Sequence, residues 1–304
     1  MKIFKKIYYL VKYHHMYLTQ KREKNIEADN NAGLTSIHAR SVESIALPKN
    51  IWIYWDGALP QLVEHCIQVI KNKNPNFKVV ILNAANVEEY CDSQYLKIDN
   101  ISPQHKADII RLNLLYKFGG IWLDASTILN RNLDWIEALM QTHQAELFSY
   151  YRRKNTTILE YPVIENWLLA SSKGNEFIKR WLDELLKANQ MGAKAYIQSI
   201  KDGYVNFNEI FQRIGNLEYL FAYVACQKVM RDYKPNLVVL DCDESALMYQ
   251  VKDRWVKEKI LIDLAINLKP KSEPYLIKLA RKERNYLYKY YEQGKFFKGS
   301  FLDF

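Results

Sequence analysis

With 304 residues, 49% of them hydrophobic, the chain can bury a full core as one large domain, or as one domain with a small appendage. Its net charge of +9 is weighted to the start, where residues 1–24 carry seven Lys/Arg against one Glu; no recognisable nucleic-acid motif accompanies the charge, which turns the reading toward an anionic membrane surface and away from nucleic acid. No run of about 20 apolar residues is available to span a bilayer, and the basic N-terminus lacks the apolar core and small-residue cleavage site of a signal peptide.

Residues 1–24 read as a helix that interleaves lysines with Phe4, Ile7, Tyr8, Tyr9, Leu10, Val11, Tyr13, Met16, Tyr17 and Leu18. That composition suits an interfacial helix on an anionic leaflet, and equally a basic helix packed on the domain. Residues 25–44 read as a polar connector. Lys49–Trp55 is the first expected strand. Leu62–Lys73 is an amphipathic helix stopped by Asn74-Pro75. A strand at 77–82, a short helix from Val87, a helix over 106–118 and a strand at 121–123 follow. Next come a helix near 133–141, a strand at 146–151 and a helix at 175–188. The C-terminal half predicts helices at 204–214 and 219–233, a strand at 237–242, and a basic, Tyr-rich helix over 275–291. This alternation argues for an α/β sheet of Rossmann type. No internal repeat or Gly/Ser linker interrupts it, so a basic N-terminal helix and connector (1–44) precede one continuous domain (45–304).

The segment from Lys106 to Leu129 concentrates the chemistry. Asp108 and Arg111 are three apart and share a helix face. Without further context they are an i,i+3 salt bridge of little worth to stability. Gly119-Gly120 is a helix stop, where glycine tolerates a left-handed C-cap. Ile121-Trp122-Leu123 then delivers Asp124 to the carboxyl end of a buried strand, where ligands of open α/β sheets bind. Nothing in strand propensity explains an acid after Ile-Trp-Leu. Trp55 ends the first strand and suits base stacking, worth roughly 1–3 kcal/mol, or serves as a core plug. Cys66, Cys91, Cys226 and Cys242 lack C-x-x-C pairing and histidine neighbours, and read as reduced buried thiols of a cytosolic protein.

These residues resemble glycosyltransferase family 32, particularly its bacterial capsular polysaccharide synthesis branch, and are similar to the clostridial glucosylating toxins. The resemblance rests on Asp108-x-x-Arg111 followed by Gly119-Gly-Ile-Trp-Leu-Asp124, with a sixteen-residue step from one aspartate to the other. It also rests on Leu47-Pro-Lys-Asn-Ile-Trp-Ile-Tyr-Trp-Asp-Gly57 with Asn74-Pro75, and on Glu165-Asn-Trp-Leu-Leu-Ala-Ser-Ser-Lys-Gly-Asn-Glu-Phe177. The blocks cover roughly residues 45 to 190 in the family's order.

The resemblance implies a GT-A type, Rossmann-like nucleotide-sugar-binding fold with additional helices at both ends. It implies a retaining glycosyltransferase that moves a sugar from a UDP- or GDP-sugar to a capsule, lipooligosaccharide or other cell-surface glycan, lipid-linked or free. It places Trp55 on the base, Asp108, Arg111 and Asp124 on the donor sugar, and Lys278 or Lys298 on the diphosphate under a closing C-terminal loop. Each lysine taken singly also reads as solvated surface charge. Glu165 and Asn166 fall where related enzymes set a polar residue near the anomeric carbon. The usual Asp-x-Asp is here Asp124-Ala125-Ser126, a change common in the capsular branch. Asp124 and Ser126 are thus the candidate ligands of a divalent cation, Mn2+ or Mg2+, with a hydroxyl the poorer of the two. No carboxylate pair stands at the spacing of a retaining hydrolase, which favours front-face transfer with the leaving phosphate assisting deprotonation of the acceptor. The expected location is the inner face of the cytoplasmic membrane. A catalytically inactive sugar-nucleotide-binding or assembly protein, suggested by the missing second aspartate, and a protein-modifying glycosyltransferase are the alternatives.

Overall fold

The computed structural model describes residues 2–39, 46–97 and 101–304. The chain opens with α1 (Lys2–Thr19), β1 (Thr35–Ile37), β2 (Asn50–Tyr54), α2 (Gln61–Lys73) and β3 (Lys78–Leu82). One-turn α3 (Ser93–Leu96) precedes α4 (Pro103–Phe118), β4 (Gly120–Leu123) and β5 (Thr127–Leu129). The middle holds α5 (Asp134–Thr142), β6 (Leu147–Tyr151), β7 (Ile164–Ser171), α6 (Glu176–Met191), α7 (Ala193–Gly203) and α8 (Phe207–Phe211). The last third is α9 (Phe221–Tyr233), β8 (Leu237–Asp241), α10 (Met248–Lys252), α11 (Lys257–Ala265), β9 (Leu276–Lys278) and α12 (Arg281–Tyr291).

The main sheet has the order β1-β8-β6-β7-β4-β2-β3. Strands β3, β2, β4, β6 and β8 run one way, while β7 in the middle and β1 at the edge run the other. The α/β class and its mostly parallel sheet are therefore as expected. From β2 the chain goes outward to β3, then crosses back to lay β4 on the other side of β2. The carboxyl ends of β2 and β4 thus flank a topological switch point, where such sheets open a crevice.

Alternation along the strands sends side chains to two cores. Trp52, Trp122, Leu169 and Val239 pack under α4, α6 and α9. Ile51, Ile53, Ile121, Leu123 and Leu168 pack against α2 and α5. A third core joins Tyr13 and Met16 of α1 to α11, β9 and α12.

Local chemistry sets the elements around the crevice. Asn74 ends α2, returning Nδ2 to the Ile70 carbonyl (2.7 Å) while its Oδ1 accepts from the Leu133 amide (2.8 Å). Ser102 caps α4 by accepting from the His105 amide (3.3 Å), and Pro103 follows at the first helical position. Gly119 ends α4 at φ +65° and ψ −163°, a positive-φ turn but not the left-handed helical cap expected. The reason is close approach: a Cβ on Gly120 would meet the Asn50 carbonyl oxygen at 2.5 Å, and one on Gly119 the Lys173 amide at 2.5 Å.

Several expectations are corrected. Residues 275–291 are not one helix, because Leu276–Lys278 pair with β5 as a two-stranded ribbon and the helix begins only at Arg281. The 25–44 segment is more than a connector: it supplies β1 to the main sheet, and its Asn25 amide donates to the Leu268 carbonyl (3.1 Å). Its expected boundary at 44/45 lies outside the described residues. The block from Glu165 contains a strand, β7, that was not read as one. The four cysteines are buried and unpaired, and burial lifts the thiols of Cys66 and Cys91 to about 12. Among the described residues no helix is long and apolar enough to cross a membrane.

Candidate active site

At the carboxyl ends of β2 and β4 lies a cavity of about 770 Å³, within the size range of small-molecule sites. Trp55, Asp108, Arg111, Asp124, Ser126, Asn166 and Lys278 all line it. Residues separated by as many as 223 positions thus meet at one place.

Asp124 is the hub. Its amide donates to the Trp167 carbonyl (2.9 Å), fixing the turn after β4 against β7. Its Oδ1 accepts from Trp122 Nε1 (3.1 Å) and Arg111 Nη2 (3.2 Å), and its Oδ2 from Lys278 Nζ (2.6 Å). Burial works to raise this carboxyl, but Lys278 and Arg111 outweigh it and hold the group below its ordinary value. Arg111 sits over the Trp122 ring at 4.7 Å and also binds Asp108 Oδ1. Asp108 takes a second hydrogen bond from Asn166 Nδ2 (2.9 Å). Its carboxyl is raised because burial exceeds the pull of Arg111. The Asp108–Arg111 pair is therefore one link in a chain from α4 to β4, β7 and β9, not a solvated helix-face bridge.

Asn166 and Glu165 part company. Asn166 lines the cavity, whereas Glu165 does not, pointing instead to Arg152 and the Tyr223 hydroxyl. That hydroxyl lies 3.1 Å from both Glu165 Oε2 and Asn166 Oδ1 and donates to one at a time. Burial raises the Glu165 carboxyl, with Arg152 opposing. Lys298 is exposed beyond the cavity, where its carbonyl accepts from Arg22 (2.7 Å). It stands on the segment that covers α1 and not on the β9–α12 wall, which corrects its expected place on the diphosphate.

Trp55 is half-buried, its Nε1 donating to the Ala58 carbonyl (3.1 Å), and the Arg284 guanidinium covers one face at 4.8 Å. Ser126 is almost fully buried. Its hydroxyl donates to the Leu279 carbonyl (3.1 Å) and faces Arg284 Nη1 (3.3 Å) and Lys278 Nζ (3.5 Å). A divalent cation needs free oxygen ligands, and both Asp124 and Ser126 already face cationic nitrogens. The residues expected to hold a metal do not fit one.

Tyr223, Arg281 and Arg284 also line the cavity and were not singled out from the sequence. A signal for the arginines existed in the three-residue spacing of Lys278, Arg281 and Arg284, hidden inside a segment read as one basic helix.

The family model described as capsular polysaccharide synthesis protein matches residues 4–240 of the 304. The chain belongs to that family. The match stops before β9 and α12. Among named relatives, the O-glycosyltransferase braB of Annulohypoxylon truncatum is 30% identical over 155 residues, covering 44% of this chain and 36% of the relative. The glycosyltransferase afumC of Aspergillus fumigatus is 26% identical over 155 residues, covering 44% and 38%. The chain thus aligns with well under half the length of these curated relatives. Among solved structures, the PaToxG glycosyltransferase superposes with a TM-score of 0.37 at 13% identity, over 96% of each chain. The UDP-bound glycosyltransferase domain of the YGT toxin superposes with a TM-score of 0.32 at 10% identity, over 84% of this chain and 92% of that one.

Proposed function

We propose that this chain is a glycosyltransferase of GT-A type that moves a sugar from a nucleotide diphosphate donor to an acceptor hydroxyl with retention of configuration. The observation that carries the reading is the convergence of Trp55, Asp108, Arg111, Asp124, Asn166 and Lys278 on one cavity at the switch point. The names of the fungal relatives, both glycosyltransferases and one an O-glycosyltransferase, support it.

In this reading the open face of Trp55 stacks on the base. Asp108 and Asp124 accept from donor-sugar hydroxyls, while Arg111 holds both carboxyl groups in place. Of the 165–166 pair Asn166 faces the sugar, with the Tyr223 hydroxyl, shared with Glu165, orienting it. Lys278 neutralises the diphosphate. As the anomeric C–O bond breaks, its electron pair goes to the phosphate oxygen. That oxygen receives the acceptor's proton as the new C–O bond forms on the same face. The acceptor class is a glycan of the cell surface, free or lipid-linked.

One observation extends the reading to a membrane surface. Phe4, Ile7, Tyr8, Val11 and Leu18 are exposed on α1, a stripe at i, i+3, i+4 and i+7 spacing flanked by Lys5, Lys6 and Lys12. Meanwhile Tyr13 and Met16 on another face are buried in the protein. In this reading the helix packs on the protein by one face and offers its apolar, basic face to an anionic leaflet.

A panel of UDP- and GDP-sugars, followed by donor hydrolysis and transfer, tests the function. Turnover of one donor, lost in Asp108→Asn, is expected. Binding of a donor with no hydrolysis or transfer to any glycan acceptor would move the protein to the binding and assembly class.

A further inference from the structure

A departing nucleoside diphosphate must be met by positive charge, and the place where a divalent ion would supply it is already filled. We propose that Lys278, Arg281 and Arg284 are a built-in cation that substitutes for a metal, so that nucleotide diphosphate binding here needs no divalent ion. The proposal rests on the nucleotide-sugar reading above and concerns the same cavity.

The bonding capacity of the two candidate ligands is the first ground. Asp124 has an oxygen committed to Lys278 at 2.6 Å and the other shared by Trp122 and Arg111. A serine hydroxyl has one donor and two acceptor positions. Ser126 gives its donor to the Leu279 carbonyl and turns its lone pairs to Arg284 and Lys278. A metal at this point would have to displace an ammonium from its carboxylate and then lie among guanidinium groups. Another set of metal-capable side chains among the described residues, Asp241, Cys242 and Asp243, stands apart from the cavity lining. There Asp243 is engaged by Arg152 (2.6 Å) and the Lys154 amide (3.1 Å).

Surplus charge is the second ground. Arg111 is bound to Asp108 and Asp124, and Lys278 to Asp124. Among the described residues neither Arg281 nor Arg284 pairs with a carboxylate, although both face the cavity. The Arg284 guanidinium has the neutral Tyr288 hydroxyl beside it, which leaves its charge uncompensated. A guanidinium over the base-stacking tryptophan, with no carboxylate partner among the described residues, is a donor for an incoming phosphate oxygen.

The third ground is how the wall is built. Lys278 pairs with Thr127 across the β5–β9 ribbon, and the Leu279 amide donates to the Ser126 carbonyl (3.0 Å). The ribbon therefore locks the lysine opposite the Asp124–Ser126 turn. Helix α12 starts two residues after Leu279, and its first turn carries Arg281 and Arg284 on one face. Its positive end lies on the same wall, adding to the field that favours an anion. The cations change no bond; they stabilise the electron pair that the phosphate keeps when the anomeric bond breaks.

Binding of UDP and GDP to chelator-stripped full-length protein by titration calorimetry, with and without added Mn2+ or Mg2+, is the test. The expected result is an affinity that agrees within about threefold in all conditions. Arg281→Ala and Arg284→Ala should each weaken it by about tenfold or more, the loss of one hydrogen bond to a charged group. Arg281 is exposed, so that variant keeps the fold even if others do not. Lys278→Met frees Asp124 and should both weaken metal-free binding and create a response to Mn2+ that the parent lacks. An affinity that collapses more than tenfold on chelation and returns with Mn2+ overturns the proposal and leaves the glycosyltransferase reading standing. Failure of both diphosphates to bind under any condition overturns the nucleotide-sugar reading itself, and this inference with it.

Discussion

Replacing Asp124 by Ala should cost stability as well as activity, and the size of the cost follows from what the carboxylate holds. It joins the end of β4 to α4 through Arg111 and to β9 through Lys278. Lys278, 11% exposed at its side chain, then loses its carboxylate partner, whereas Arg111 keeps Asp108. Removing one member of a buried pair costs about 3–5 kcal/mol. Asp124 retains 29% exposure toward the cavity, so water screens part of the loss, and about 2–3 kcal/mol is expected. For a chain of 304 residues that corresponds to a fall in Tm of roughly 3–5 °C. Asp124→Ala/Lys278→Met removes both charges together and should be more stable than the sum of the two single variants by at least about 1 kcal/mol. The pH dependence has a definite sign. Lys278 and Arg111 overcome burial and lower the Asp124 carboxyl, so the bridge contributes above the unfolded-state pKa and is lost as pH falls through the folded one. The gap between parent and Asp124→Ala should thus be full at pH 7 and close only below about pH 4. Thermal unfolding of all four proteins at both pH values is the measurement. Strict additivity, or an equal gap at acid pH, would refute the bridge as the source of the cost.

Arg111→Lys should cut turnover at least about tenfold while sparing UDP or GDP binding, since one ammonium cannot hold Asp108 and Asp124 at once; steady-state kinetics beside calorimetry checks the split. Ser126→Asp should not create tight manganese binding, because the new carboxylate meets Lys278 and Arg284 and pairs with them; a Mn2+ titration that tightens more than about tenfold contradicts this. Glu165→Gln should flatten the fall of stability with rising pH, because burial raises this carboxyl against the pull of Arg152, and a raised acid loses its contribution as pH climbs from the unfolded pKa through the folded one; urea unfolding from about pH 4 upward reads the slope. Deleting residues 2–19 should unfold the third core by exposing the partners of Tyr13 and Met16, whereas Phe4→Ser/Ile7→Ser/Val11→Ser should keep Tm within a few degrees and lose sedimentation with anionic liposomes.

What could be read before folding was whatever lies close together in sequence. Asp108, Arg111, the double glycine and Asp124 sit within seventeen positions, and helix and strand periodicity were enough to put them at a strand end. Trp55 was legible for the same reason, being the residue that follows the first apolar strand. The rest depended on pairings that periodicity does not encode. The segment at 275–291 reads as helix because Tyr, Leu and Lys tolerate one. The ribbon with β5 overrides that propensity for Leu276–Lys278, burying Leu276 and Ile277 on Leu129 and Ile128. That single override brings Lys278 within 2.6 Å of a carboxylate 154 positions earlier. It also turns α12 so that its first turn faces the crevice, and it decides between Lys278 and Lys298, which composition treats alike. The missing second aspartate was visible from the start. Its meaning was not, because Ser126 acquires a role only from the two cations that the C-terminal ribbon and helix set against it.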